Sequence, residues 1–373
     1  MKTLFKLFIA LASVFFVATA VTQAYPEADP IEVAYTIAGV VAIVGVARFI
    51  AMVARPDARK VKGLALAVTI ETWEDFIASN LWKGYQWLLR AKDRTGRVIG
   101  ASVVHIPQAG AVVGTQRNRS QYPVPVVKRS DSDITYVLDE ISSDATHIKD
   151  AETIELSYDK INDVLGDHTN KLGQDVARNA VYRWFAGLNT ANIVRTTGAD
   201  TAVYLTTATG TRKKALAVDI AAGKTVMNNQ TKRESGKRIA LMTEDFYNQL
   251  KSDATLTNKD TMDALGAVWK DGDLTRVHGF EIIRIDVAPR WTNASPPVAK
   301  DSFDSSVVDA AADNDACLLV DLDFVHIAKG EIKFFETLQD AMMQGDVYSA
   351  LVRMGAARER ADQAGVVAVV QVP

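Results

Sequence analysis

The chain contains one cysteine, Cys317, among 373 residues. A single cysteine excludes an intrachain disulfide and any zinc site built on several cysteines, and it fits a reducing compartment without proving one. An excess of charge of one sign is also missing, since 42 basic side chains face 45 acidic ones and the net charge is -3. Because dedicated nucleic-acid binders usually carry a strong basic excess, this balance argues against that class.

The motifs of common catalytic sites are scarce too. The five histidines never stand at the i, i+4 spacing of a helical zinc pair, and no Gly-x-Ser-x-Gly elbow occurs. Gly223-Lys224-Thr225 matches only the end of a phosphate-binding loop, because Val218 stands where the first glycine belongs. Four carboxylates could form a cation site, although acidic residues in loops are more often simply solvated: Asp313, Asp315, Asp321 and Asp323. The sequence therefore predicts no enzyme, no cofactor and no metal site.

Residues 1–62 differ in composition from the rest of the chain. An apolar run from Leu7 to Val21 follows two lysines and precedes small alanines, in the pattern of a secretion signal. A second run, from Ala34 to Ala54, is about long enough to cross a bilayer but contains Arg48, and a basic cluster follows it. A membrane contact through residues 1–54 and burial of both runs against protein therefore stand as alternatives.

One long amphipathic helix is predicted from Ser157 to Leu188, with Ser157 as its N-cap and Gly187 at its end. Gly166 and Gly173 each cost about 1 kcal/mol relative to alanine, so neighbours must hold the helix or it bends there. Apolar residues recur on one stripe of this helix at steps of three and four: Ile161, Val164, Leu165, Leu172, Val176, Ala180, Val181, Trp184 and Phe185.

A second helix is predicted from Glu71 to Lys92, where aromatic and aliphatic residues recur at helical spacing. The stretch contains Trp73, Trp82 and Trp87. An aromatic cluster of this kind could bind a ligand, but at helical spacing it is more often a packing face.

A protruding β-hairpin, or arm, is predicted between two strands, Arg97–Ile106 and Asp133–Ile141. Residues 115–130, between the two strands, include two prolines, Pro123 and Pro125, which exclude a central strand. This excursion is also basic, with Arg117, Arg119, Lys128 and Arg129. An arm buries little of its own surface and needs something else to cover it, whereas the alternative is a flexible surface loop.

The remainder of the chain contains both helices and strands, in no regular alternation. We predict a helix over 213–228, a strand from Ile239 to Met242 with Thr243 capping the next helix, a strand after Gly279, and a loop over 287–314. The end is mostly strand, at 317–321, 324–328, 331–337, 347–354 and 366–372. Strands and helices do not alternate as in βαβ units, so the fold class is α+β.

The order of these pieces resembles the major capsid protein of tailed bacteriophages, which has the Hong Kong 97-like fold. The succession runs from TWEDFIASNLW through VVHIPQAGAVVG, the arm and HIKDAE into the long helix. It continues with KRIALMTEDFYNQL, HGFEIIRID and the tail GDVYSALVRMGAARERADQAGVVAVV. The resemblance covers about 70–372, and it lies in the order of the segments rather than in any one motif.

The resemblance implies a division of the chain into functional parts. Residues 63–96 would form an N-terminal arm and helix, 97–142 the extended loop over a neighbouring subunit, and 143–214 the peripheral domain with its spine helix at 157–188. Residues 215–315 would form the axial domain, and strands in 316–373 would return to the peripheral domain. Residues 1–62 depart from the family, whose N-terminal segments are typically charged, so their role as an N-arm, a processed piece or a membrane contact stays open.

The function implied is that of a shell protein that assembles into an icosahedral head around double-stranded DNA. The expected partners are copies of the chain in pentamers and hexamers, the DNA itself, and scaffold, portal and decoration proteins, with assembly in the host cytoplasm and a final place in the virion. Expected assembly contacts are Arg117, Arg119, Lys128, Arg129, Trp73 and Trp82. The alternatives are a nanocompartment or gene-transfer particle with the same fold, and a membrane-anchored envelope protein.

Overall fold

The computed structural model describes residues 74–100, 102–108, 114–124, 126, 131–149, 160–231 and 236–373. Both apolar runs of residues 1–62 and Trp73 lie outside these ranges. The helices are α1 (74–80), α2 (Lys160–Phe185), α3 (Ala217–Thr231), α4 (Glu244–Lys251), α5 (Ala254–Thr257) and α6 (Lys259–Met262). Of the helices described, none combines the length and the hydropathy needed to cross a bilayer.

The strands fall into two larger sheets and two small ones. In chain order they are β1 (Lys92–Asp93), β2 (Val98–Ile99), β3 (Val103–Gln108), β4 (Ser132–Val137), β5 (Asp139–Ser142), β6 (Thr146–Lys149), β7 (Ile193–Arg195), β8 (Asp200–Ala202), β9 (Thr211–Lys213), β10 (Arg238–Met242), β11 (Val268–Lys270), β12 (Asp273–Val277), β13 (Phe280–Arg284), β14 (Ala316–Asp321), β15 (Val325–Asp340), β16 (Gly345–Arg358) and β17 (Val366–Val370).

The first large sheet has the order β1-β15-β16-β5, with β6 also paired to β16. Helix α2 lies against β16. The buried face of α2, including Val176 and Val181, joins Val352 and Met354 of β16 in one hydrophobic cluster. The sheet supplies the apolar surface that a helix of this length needs.

The second large sheet has the order β11-β12-β13-β10-β14-β17-β7, and α3 packs on it. Strand β10 is buried on both faces: Ile239 and Leu241 belong to the cluster that contains α2, whereas Ala240 and Met242 belong to the cluster that contains α3. This alternation follows from the two-residue period of a strand. The remaining named strands form two smaller sheets, β2-β3-β4 and β8-β9.

The predicted α+β class is confirmed, and so is the long helix over Lys160–Phe185. Its expected cap, Ser157, lies outside the described residues. Strand β10 and the cap after it are also confirmed, because the Thr243 hydroxyl accepts a hydrogen bond of 3.3 Å from the Phe246 N–H. The division into domains over 63–96, 97–142, 143–214, 215–315 and 316–373 stays a prediction.

The predicted helix from Glu71 to Lys92 is wrong beyond residue 80. Near this point the Ser79 hydroxyl and the Asn80 amide both donate to the Phe76 carbonyl, at 2.9 and 2.7 Å. Polar side chains that bond to nearby carbonyls compete with helical hydrogen bonds and favour a helix end. The chain then continues through turns into a short 3-10 helix, Leu88–Arg90, and β1.

Two strand predictions also need correction. The predicted strand Arg97–Ile106 is two antiparallel strands, β2 and β3, and Gly100 between them has a φ of 60°, a backbone conformation that glycine adopts readily. The segments predicted at 324–328 and 331–337 are one strand, β15, with a register shift between Lys329 and Ile332. A bulge of this kind lets a strand continue past Gly330 without breaking its sheet.

The four C-terminal strands are shared between the two large sheets. Strands β15 and β16 belong to the first, while β14 and β17 pair in the second, on the β10 side. The return of the strands in 316–373 to a peripheral domain, which the resemblance implies, stays a prediction. The second sheet therefore joins residues 238–284 to the end of the chain.

Candidate assembly surfaces

The arm is built on the antiparallel pair β3 and β4, which runs in register from Val103 opposite Val137 to Gln108 opposite Ser132. A small cluster at its root includes Val104, Ile106 and Leu138. Further along the arm, apolar side chains are exposed to solvent.

Two of these exposed side chains are extreme. Tyr122 is 75% exposed and Val126 is 97% exposed. Single exposed apolar residues are ordinary on protein surfaces, but two on one protruding segment indicate a surface that another molecule covers.

A half-buried polar cluster around Glu359 lies at the root of the arm. Arg94 donates to its carboxylate, with Nε 3.3 Å from Oε2, and Nδ1 of His326 lies 3.2 Å from the same oxygen. Gln108 of β3 donates to the Glu359 carbonyl at 2.6 Å, and the ring of Tyr136 on β4 lies 5.5 Å from the His326 ring. The cluster thus connects the chain before the arm, both arm strands and β15.

Burial sets the protonation of this cluster. Loss of solvent lowers the pKa of His326 to about 4, against the opposing pull of Glu359. Burial, and secondarily Glu359, raises the pKa of Tyr136. Both rings are therefore neutral at pH 7. The cluster links β3 and β4 of the arm to the hairpin formed by β15 and β16.

A second candidate surface is the end of the long hairpin formed by β15 and β16. Met342 is 93% exposed there, and Leu338 and Met343 are also in solvent. The Asp340 carboxylate accepts hydrogen bonds from the backbone N–H groups of Met342 and Met343, at 2.7 and 3.2 Å. The turn is thereby ordered while its methionines point away from the core.

A buried ion pair ties the second sheet together. Nε of Arg238 lies 3.5 Å from Oδ2 of Asp321, opposite it on β10 and β14, and both side chains are buried. Arg238 also donates to the Asn228 amide oxygen of α3 at 2.6 Å. The pair therefore fixes one helix and two strands relative to one another.

The structure does not support a cation site at the four acidic residues. Asp321 pairs with Arg238, Asp323 lies 3.3 Å from Lys237, Asp313 lies 2.6 Å from Lys300, and Asp315 accepts from Thr243. In the part of the chain that the structure describes, no group of three or more candidate metal ligands occurs. The expectation that these carboxylates are solvated is wrong as well, since Asp313, Asp315 and Asp321 are buried.

The phosphate-loop alternative is also excluded by local structure. Gly223 lies inside α3, and a Cβ at this position would come within 2.4 Å of the Leu319 Cδ1. A larger residue at this position would require the Leu319 side chain to shift where the helix packs against β14.

The predicted contact residues lie in different environments. Arg117 is exposed and Arg119 is half-buried, both on the arm. Trp82 is half-buried against the core, and Nζ of Lys329 lies 5.4 Å from its ring centre. Trp73, Lys128 and Arg129 lie outside the described residues, and an assembly role for all of these residues stays a prediction.

Sequence reasoning missed the cluster around Glu359. Its members Arg94, His326 and Glu359 are separated by up to 265 residues, and none belongs to a motif with a recognisable spacing. Pairing of β15 with β16 places His326 opposite Ala357, near Glu359, and only knowledge of that pairing could have identified the site.

Comparison with known proteins identifies the family. A family model described as phage capsid protein matches residues 141–369, more than half of the chain. No curated protein matches this chain. The structure is similar to the capsid of cyanophage P-SCSP1u, with a TM-score of 0.54 and 16% identity over 75% of this chain and 86% of that one. It is also similar to the capsid of Ralstonia phage GP4, with a TM-score of 0.51 and 11% identity over 76% of this chain and 87% of that one.

The likeness to these solved structures, at 16% and 11% identity, establishes the fold alone. The match to the family model shows to which family the chain belongs. The chain belongs to the phage capsid protein family and is a structural major capsid protein with the Hong Kong 97-like fold of tailed phages.

Proposed function

We propose that many copies of this chain assemble through pentamers and hexamers into a closed icosahedral shell around double-stranded DNA. The observation that carries the proposal is the exposure of apolar side chains on the two projecting segments, Val126 on the arm and Met342 on the long hairpin. Burying a side chain of this size is worth about 1.5–3 kcal/mol. Repeated in a closed symmetric assembly, modest contacts of this kind add up to a stable shell.

Contact with packaged DNA would be non-specific. A net charge of -3 provides little attraction to phosphate, so this contact is weak and salt-sensitive. Scaffold, portal and decoration proteins are the further partners proposed, with assembly in the host cytoplasm. The chain acts by assembly and not as an enzyme, and residues 1–62 contribute an N-arm, a processed piece or a membrane contact.

The test is expression of the full chain and of a version that starts near Lys62, followed by sedimentation in detergent and salt. We expect most of the protein to pellet as uniform large particles, and a difference between the two versions reports the contribution of the N-terminal segment. Protein that stays with membranes after a salt wash and becomes a small species in detergent would favour an envelope protein. Particles that contain one enzyme and no DNA would favour a nanocompartment.

A further inference from the structure

The turn at the end of the long hairpin is fixed at its base. The last pair of the two strands is Asp340 opposite Gly345, and the Gln344 N–H donates to the Asp340 carbonyl at 2.7 Å. Gly345 is also paired with Lys149 of β6, and a Cβ at Gly345 would clash with the Ile148 carbonyl oxygen. The turn is therefore held close against β6, and its side chains project from an ordered backbone.

Two of these side chains are methionines in contact with water. Met342 is 93% exposed and Met343 is 55% exposed. In contrast, Met227 and Met242 are fully buried in the core of the second sheet, and Met354 is 2% exposed in the core of the first. An oxidant dissolved in water therefore meets the thioethers of the turn before those of either core.

Oxygen transfer from a peroxide to such a thioether balances without any other reactant. The sulfur lone pair attacks one peroxide oxygen and forms an S–O bond, the O–O bond breaks, and the second oxygen leaves as hydroxide, which takes up the remaining proton to give water. The methionine is oxidised to its sulfoxide and the peroxide is reduced. A sulfoxide reductase with a dithiol reverses the change, since the oxygen leaves as water and the two thiols form a disulfide.

A sulfoxide in this turn changes an apolar surface into a polar one. Its oxygen is a hydrogen-bond acceptor that needs a donor if another molecule covers it. Backbone N–H groups of the turn already donate to acceptors in the same hairpin: those of Gln339, Met342, Met343 and Gln344. These donors are not available to the new oxygen, so burial of the oxidised turn is unfavourable.

We propose that Met342, with Met343 beside it, is a reversible oxidation site that controls the entry of a subunit into shells. A peroxide converts the thioether to a sulfoxide in the free subunit, and the oxidised subunit is not incorporated. The inference rests on the proposed function, because it requires that assembly bury the end of the long hairpin.

The first test uses unassembled wild-type subunits treated with dilute hydrogen peroxide. Mass spectrometry of peptides should show one added oxygen atom on Met342 and on Met343, and none on Met227 or Met242 at the same dose. The yield of shells in sedimentation should fall at least about tenfold, since burying one unpaired polar group weakens association by a factor of that order. A mixture of the two stereospecific methionine sulfoxide reductases, with a dithiol, should restore the yield of the untreated sample.

The second test removes the sulfur atoms from the turn. Met342→Leu/Met343→Leu keeps apolar side chains there, and its treated sample is compared with its own untreated sample, with the same yield of shells expected in both. The control Met262→Leu, outside the turn, should stay as sensitive as the wild-type chain.

Three results would overturn the oxidation site and leave the proposed function intact. They are an equal loss of shells in the double variant, a loss that persists after the reductases have removed both oxygen atoms, and a full yield of shells from subunits that carry both sulfoxides. Failure of the untreated wild-type chain to form shells would contradict the proposed function, and the oxidation site with it.

Discussion

Nδ1 of His326 lies 3.2 Å from Oε2 of Glu359, in a site where the imidazole has no exposed surface. The unfolded chain would titrate this histidine near its ordinary pKa of about 6.5, whereas burial lowers the folded pKa to about 4. Between these values the unfolded state binds the extra proton. Stability from this group is therefore complete above about pH 6.5 and is lost as the pH falls towards 4.

The first prediction concerns this pH dependence in unassembled subunits. From pH 7.5 to pH 5 the His326 contribution should cost roughly 2 kcal/mol of unfolding free energy, measured by urea titration. His326→Gln removes the titration and should lose less over the same range. Asp315, whose pKa burial raises to about 6, acts in the opposite direction but equally in both proteins. An unchanged pH dependence in the variant would contradict the assignment.

The two glycines of α2 give a matched pair of stability predictions. A Cβ at Gly166 meets open space, so Gly166→Ala should stabilise the subunit by about 1 kcal/mol through helix propensity. A Cβ at Gly173 would lie 2.7 Å from the Leu81 carbonyl oxygen. Gly173→Ala should therefore be destabilising, since overpacking costs about 1–3 kcal/mol and exceeds the propensity gain. Equal effects in thermal or urea unfolding would show that α2 does not pack closely there.

At the buried pair of Arg238 and Asp321, we expect a single substitution to cost much more stability than a double one. Asp321→Leu removes the buried carboxylate that faces the Arg238 guanidinium, and we expect a loss of about 3–5 kcal/mol. The double variant Arg238→Met/Asp321→Leu replaces both charges by apolar groups and should recover most of that loss. Urea unfolding of the three proteins measures this directly. A double variant as unstable as the single one would show that the charges themselves stabilise the sheet.

The arm tip predicts a separation of assembly from folding. Val126→Asp places a charge at a side chain that is almost fully exposed in the subunit, so subunit stability should change by less than about 0.5 kcal/mol. If neighbours bury this side chain, the yield of shells in sedimentation should fall sharply. Val126→Ile, the control, should assemble normally. Full assembly of the aspartate variant would show that Val126 stays in solvent.

The features that the sequence predicted well are local ones. The stripe on α2 and the Thr243 cap depend on residues within a turn or two of one another, and both are present. The helix predicted from the aromatic stretch was too long. The spacing of its apolar residues suits a helix throughout, but the side chains of Ser79 and Asn80 favour a helix end at residue 80. The spacing of apolar residues does not reveal the competition between these side-chain hydrogen bonds and those of the helix.

The features that the sequence did not predict depend on contacts between distant segments. Gly173 was recognised as a weak point in a helix, but only the nearby Leu81 carbonyl explains why glycine is required. In the same way, Arg94 lies beside Glu359 because β1, which precedes Arg94, pairs with β15. The assembly role expected for the basic arm residues Arg117 and Arg119 stays a prediction, since it depends on contacts between copies of the chain.

Cryo-electron microscopy of particles formed by the full chain tests the central claim most directly. We predict closed shells in which the subunits are grouped around five-fold and six-fold axes, with each arm lying across a neighbouring copy. Open sheets, small oligomers, or closed particles in which the arm contacts only its own subunit would contradict the account.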